Sequence, residues 1–212
     1  MQFANYDAFR VALQHIVEGD DYASNTFSTD TLDLFVGLGE ARVFNGDAQT
    51  SGLRASTMVK DWSGAVVSNA ATLPSDLLQL KEVNLGGDPL EVIRLDELRR
   101  MENWSLNGGV SSAYCAQDGE TLRFWPAATG TATGRYYSRP ESLKTVTWAN
   151  ATTFARYPEI FLYAAAYEGA LFLGLSGQEP LWNARYRALV DGANHSERMR
   201  VYGGSPLRIR SR

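Results

Sequence analysis

Tyr157-Pro-Glu-Ile-Phe-Leu-Tyr-Ala-Ala-Ala-Tyr-Glu-Gly-Ala170 is apolar on nearly every face of a helix and rich in alanine (Ala164, Ala165, Ala166, Ala170). A helix apolar all round belongs at the buried centre of a bundle. Pro158 suits its first turn, where the missing N–H is not needed, so the spacing predicts a helix from Pro158 to about Leu173. A second helix opens near Pro180. It places Trp182, Tyr186, Leu189 and Ala193 on one stripe, opposite a charged face with Arg185, Arg187 and Glu197.

The N-terminal residues supply the rest of the bundle. Asn5 or Asp7 can cap a short helix with Phe9, Leu13 and Ile16 on one face. Ser28-Thr29-Asp30 caps a longer one, on which Leu32, Phe35, Val36, Gly39 and Val43 share a stripe, ending near Asn45-Gly46. Gly39 falls where a side chain would face the core, which predicts close approach by another helix. A third helix is expected from Ser51 to Trp62.

Between these helical ends the hydrophobic period changes from 3.6 to 2. Short β-branched or aromatic runs (Gly64 to Val67, Lys81 to Leu85, Leu90 to Ile93, Ala113 to Ala116, Thr121 to Trp125, Thr133 to Tyr137) alternate with turn residues. Asp118-Gly119 signals a tight hairpin, and a turn or two of helix is expected from Leu95 to Met101. The fold class expected is α+β: a helical bundle formed by residues 1–62 and 151–201, an inserted antiparallel β lobe at 63–150, and an extended tail at 202–212.

Hydrophobic residues at 44% and charged residues at 21% are the balance of a globular chain rather than a disordered one. A net charge of −4 gives no whole-chain electrostatic case for nucleic-acid binding. The charge is polarised, however: the first fifty residues hold eight acids against Arg10 and Arg42. The last fifteen hold Arg198, Arg200, Arg208, Arg210 and Arg212 and no acid. Such polarity suits a subunit that meets copies of itself or a partner end to end. No signal peptide or membrane span is legible, so folding in the cytoplasm is expected.

Catalytic chemistry finds little purchase. His15 and His195 are the only histidines, and neither has a nucleophile–base–orienter context. Cys115 is the single cysteine, with no cationic neighbour in sequence, so it reads as a small buried hydrophobe. No phosphate-cradling glycine loop, metal cluster or cofactor motif is present in the sequence, and no catalytic, cofactor-binding or metal-binding residue is assigned. The alternatives are an unrecognised cytoplasmic enzyme and a nucleic-acid-binding module. In the latter, Arg123, Phe124, Trp125, Arg135, Tyr136, Tyr137 and Arg139 would stack on single strands. Five tryptophans, ten tyrosines and seventeen arginines against three lysines better match protein–protein interfaces.

The order of segments resembles a known family. It runs Leu32-x-x-Phe-Val-x-Leu-Gly-Glu-Ala-Arg-Val, Leu73-Pro-Ser-Asp-Leu-Leu, Leu122-Arg-Phe-Trp-Pro, Arg135-Tyr-Tyr-Ser-Arg-Pro and the stretch from Tyr157. Over nearly the whole chain this is similar to the head–tail adaptor proteins of short-tailed phages, also called head completion or connector proteins. It departs from them at Gly37 and Gly39, in a helix usually better furnished. The resemblance implies a structural virion protein at the neck, a dodecameric ring docked under the portal protein and contacting tail or nozzle proteins. DNA would at most pass through the channel. The portal-binding residues it implies are Arg198, Arg200, Leu207, Arg208, Ile209, Arg210 and Arg212. In the tail, alternation puts the arginines on one side of an extended segment and Leu207 and Ile209 on the other.

Overall fold

The computed structural model describes residues 3–19, 27–103 and 114–202. The chain forms two compact units, Met1–Thr57 with Pro140–Arg212, and Met58–Arg139.

Among the described residues the first unit holds α1 (Tyr6–Glu18), α2 (Thr29–Asn45), α4 (Thr152–Arg156), α5 (Pro158–Leu173) and α6 (Glu179–Tyr202). Its helix starts are set by polar side chains: Asn5 Oδ1 accepts from Ala8 N at 2.8 Å, and Ser28 Oγ from Thr31 N at 3.2 Å. Each satisfies one of the N–H groups that a first turn leaves without a helical partner. Pro158 stands at the start of α5, and α5 is buried on almost every face. α2 lays Leu32, Phe35, Val36, Gly39 and Val43 against α5, with Phe44 packed on Phe161 at a ring separation of 5.7 Å. Gly39 is required there, because a Cβ would stand 2.7 Å from Ala165 N.

The second unit holds β1 (Val59–Val66), β2 (Ala70–Thr72), β3 (Leu77–Leu85), β4 (Asp88–Val92), α3 (Leu95–Asn103), β5 (Tyr114–Asp118), β6 (Thr121–Trp125) and β7 (Gly130–Ser138). They make one sheet in the order β1-β7-β3-β4-β5-β6-β2. The two outer strands are consecutive in sequence and joined by a hairpin at Val67 and Ala70. Trp62 Nε1 of β1 donates to Thr72 O of β2 at 3.1 Å, so the sheet curls into a nearly closed barrel around Trp62, Val83, Cys115, Leu122, Phe124 and Tyr136.

This corrects the expected fold class. The protein is a mixed α/β chain with six helices among the described residues and a seven-stranded barrel-like sheet, not a helical bundle with a small β lobe. Nor is the sheet wholly antiparallel, since β4 and β5 pair in parallel. The helix expected from Ser51 to Trp62 is also absent: Ser56–Met58 is a single 3-10 turn, and Val59 onward is β1. Trp62 and Val66 point into the barrel, and β1 pairs with β7 along its whole length. Pairing and inward packing of alternate residues override a pattern that fits a helical turn equally well. The expected extended tail at 202–212 falls outside the described residues, except that Tyr202 ends α6.

Candidate interaction surfaces

The C-terminal half of α6 is fixed by polar side chains that point inward. Asn194 Oδ1 accepts from Arg54 N at 2.8 Å, and its Nδ2 donates to Gly52 O at 3.2 Å. One turn on, Glu197 accepts from Ser56 N at 3.2 Å and from the Tyr157 hydroxyl at 2.6 Å, and pairs with Arg156 at 2.8 Å. Burial raises the Glu197 pKa, but the hydrogen bonds from Tyr157 and Ser56 and the charge of Arg156 outweigh it. The carboxyl therefore sits below its ordinary value and stays ionised. Glu197 thus lies inside, only 6% exposed, rather than on the charged outer face expected for it.

A second cluster joins α2, α5 and α6. Arg42 Nε donates to Glu168 at 2.6 Å, its Nη1 pairs with Asp47 at 3.2 Å, and its carbonyl accepts from the Tyr186 hydroxyl at 3.1 Å. The guanidinium also lies 4.4 Å from the centre of the Tyr167 ring. In a third, Asp33 accepts from Tyr6 at 2.8 Å and pairs with Lys144 at 2.7 Å. Burial opposes ionisation of Asp33, and Lys144 and Tyr6 overcome it, so its pKa is lowered. Each of these carboxylates is paired with a cationic side chain. Such pairs hold the helices in position.

The residues weighed for chemistry are placed accordingly. Cys115 is fully buried in the barrel, and burial alone pushes its thiol up to about 12. His15 and His195 are exposed and belong to different helices. Among the described residues no group of three His, Cys, Asp or Glu side chains could hold a metal, and no helix is long and apolar enough to cross a membrane. Of the aromatics weighed for stacking on nucleic acid, Phe124, Trp125 and Tyr136 are buried, and Tyr137 is half-buried. Two of the three arginines weighed with them are also engaged with acids: Arg123 with Asp118 at 3.5 Å, and Arg135 in a two-pronged bridge to Glu82 at 2.5 and 2.8 Å.

Of the residues expected from the sequence to meet a portal, Arg198 and Arg200 lie exposed on α6. Arg198 Nε donates to Asn194 O at 3.3 Å, and Arg200 is 3.6 Å from Glu197. Leu207, Arg208, Ile209, Arg210 and Arg212 lie outside the described residues. The sequence reading missed two outward stripes of this unit: Leu34, Gly37 and Leu38 on α2, and Leu181, Ala184, Ala188, Gly192 and Met199 on α6, all exposed. Larger apolar residues dominate the buried faces of both helices, and they set the visible periodicity.

The model of the SU10 adaptor protein family matches residues 4–210. The chain belongs to the SU10 adaptor protein family. It is a phage adaptor, a structural protein of the virion that meets other virion proteins. No curated protein matches it at a significant level. For an adaptor the buried clusters at Arg42 and Glu197 have a plain role. They hold α2, α5 and α6 rigid, so that the outward faces keep a fixed geometry when partners dock.

Proposed function

We propose that this SU10 adaptor acts at the neck of the particle, as a dodecameric ring that joins the portal protein to a tail or nozzle protein and helps close the DNA-filled head. The observation that carries the reading is the pairing of a family match along residues 4–210 with a polarised chain. Its C-terminal fifteen residues hold five arginines and no acid, and Leu207 and Ile209 alternate with three of them. An extended segment of that pattern can add to a free sheet edge or acidic groove on the portal. Backbone hydrogen bonds would supply affinity, and the arginines register. Arg198 and Arg200, exposed on α6, precede that segment in the chain and carry the same charge.

The test is deletion of residues 203–212. The truncated subunit is expected to stay folded, by circular dichroism, and to lose co-sedimentation with purified portal-bearing heads. Normal attachment of the truncated protein would overturn the assignment of the tail. Particle size in solution with and without portal separates monomer, ring and complex.

A further inference from the structure

α2 exposes Thr29, Asp30, Leu34, Gly37, Leu38 and Asn45. Leu34 is 52% exposed and Leu38 45%, and between them Gly37 leaves a flat spot where an added Cβ would meet nothing within 4 Å. Gly39, two residues on, is explained by Ala165; Gly37 touches nothing that would explain it. A glycine in the middle of a helix is unfavourable, so its retention without an internal neighbour points outward.

α6 has the matching feature. Leu181, Ala184, Ala188, Gly192, His195 and Met199 follow one another at spacings of three, four, four, three and four, and all are exposed. Those are the spacings of a helix–helix seam. Leu181 and Met199 are 67% and 55% exposed. Gly192, like Gly37, has nothing within 4 Å of an added Cβ. The charges differ in sign: Asp30 is the one exposed charged residue of α2, whereas α6 exposes Arg185, Arg198 and Arg200 against Asp191.

We infer that the α2 face of one copy, centred on Gly37, packs against the α6 face of the next copy, centred on Gly192. The inference rests on the ring reading above and names its subunit contact. The two faces are different surfaces of the same unit, so the contact is head-to-tail, the kind that generates a ring when the rotation closes. Helices running parallel at this crossing set Asp30, seven residues before Gly37, level with Arg185, seven before Gly192. The offset is about 10 Å on each helix. Leu34 and Leu38 then straddle the small residues of α6, and Arg198 and Arg200 stay clear for the portal.

The experiment uses full-length chains carrying Gly37→Cys or Gly192→Cys on separate copies, mixed and loaded onto portal-bearing heads. Oxidation is expected to link the two variants to one another, while neither variant alone gives the disulfide dimer. Gly37→Leu and Gly192→Leu, which nothing inside the subunit opposes, are expected to lower the number of copies retained per head several-fold with circular dichroism unchanged. Several copies per head, cross-linked by glutaraldehyde but not through 37 and 192, would overturn this contact and leave the ring standing. Full occupancy by both leucine variants would do the same. A single copy per head by quantitative mass spectrometry would overturn ring and contact together.

Discussion

Gly39 of α2 lies against the backbone of Ala165 in α5: a Cβ at residue 39 would stand 2.7 Å from the Ala165 nitrogen and 2.9 Å from its Cα. No rotamer change relieves such a contact, because both obstructing atoms are backbone. Gly39→Ala is therefore expected to push the helices apart and cost about 1–3 kcal/mol, as overpacking does. At about 2–4 °C per kcal/mol for a chain of this size, calorimetry should show a fall of several degrees in Tm. Gly37→Ala, on the open side of the same helix, is expected to raise Tm, because alanine is preferred over glycine by about 1 kcal/mol in a helix interior.

Glu197 gives a pH signature. Its carboxyl is held below the ordinary value of 4.5 in the folded protein, so its contribution is fully present above that value and is lost as pH falls through the lower, folded one. Asp33, Asp47 and Asp76 shift in the same direction, and stability should drop on the acid side of pH 4.5. Tyr157→Phe removes the 2.6 Å hydrogen bond to Glu197 and is expected to cost about 1.5–3 kcal/mol near neutral pH. Urea titrations of both proteins at pH 7 and pH 4 check this: the variant should lose less between the two pH values than the parent does.

Cys115 offers a direct test of burial. With its side chain inside the barrel and its thiol pushed up to about 12 by burial, it should not react with a disulfide reagent at pH 8 while the protein is folded. In guanidinium one equivalent should react. Rapid labelling of the native protein would mean that the barrel opens readily or that the thiol is exposed and activated.

The sequence was most informative where a local rule has one structural answer. Asn5 and Ser28 cap because a short polar side chain there has an N–H to bind, and Gly39 marks a helix contact because nothing larger fits. It was least informative where the answer depends on distant residues. Val59–Val66 became a strand through pairing with residues 130–137, and β2 is three residues long. The turn between β1 and β2 uses Ser68 and Asn69 at φ 51° and 62°, a left-handed pair without the glycine that usually advertises it. Glu197 read as a surface charge because its partners, Ser56 and Tyr157, lie 141 and 40 residues away. Of the candidate surface, the basic residues were legible from charge alone. The stripes around Gly37 and Gly192 needed the structure to reveal which helix faces remain uncovered.

The remaining prediction concerns closure of the barrel. Trp62 is 9% exposed and does two jobs: its ring fills the core between the two ends of the sheet, and its Nε1 donates to Thr72 O at 3.1 Å. Among the described residues β2 pairs with β6 and with the hairpin at Val67 and Ala70, so this bond spans the place where the sheet meets itself. Trp62→Phe keeps most of the apolar volume and deletes the donor, leaving the Thr72 carbonyl to find water; the expected cost is about 1 kcal/mol. Trp62→Ala also removes the packing and is expected to cost about 3–5 kcal/mol. The two effects separate in hydrogen exchange. In Trp62→Phe, the amides of Ala70 and Ala71 should exchange faster than those of β3 and β7, because only the seam is loosened. Uniform acceleration across all seven strands would show that the bond supports the whole barrel rather than its closure.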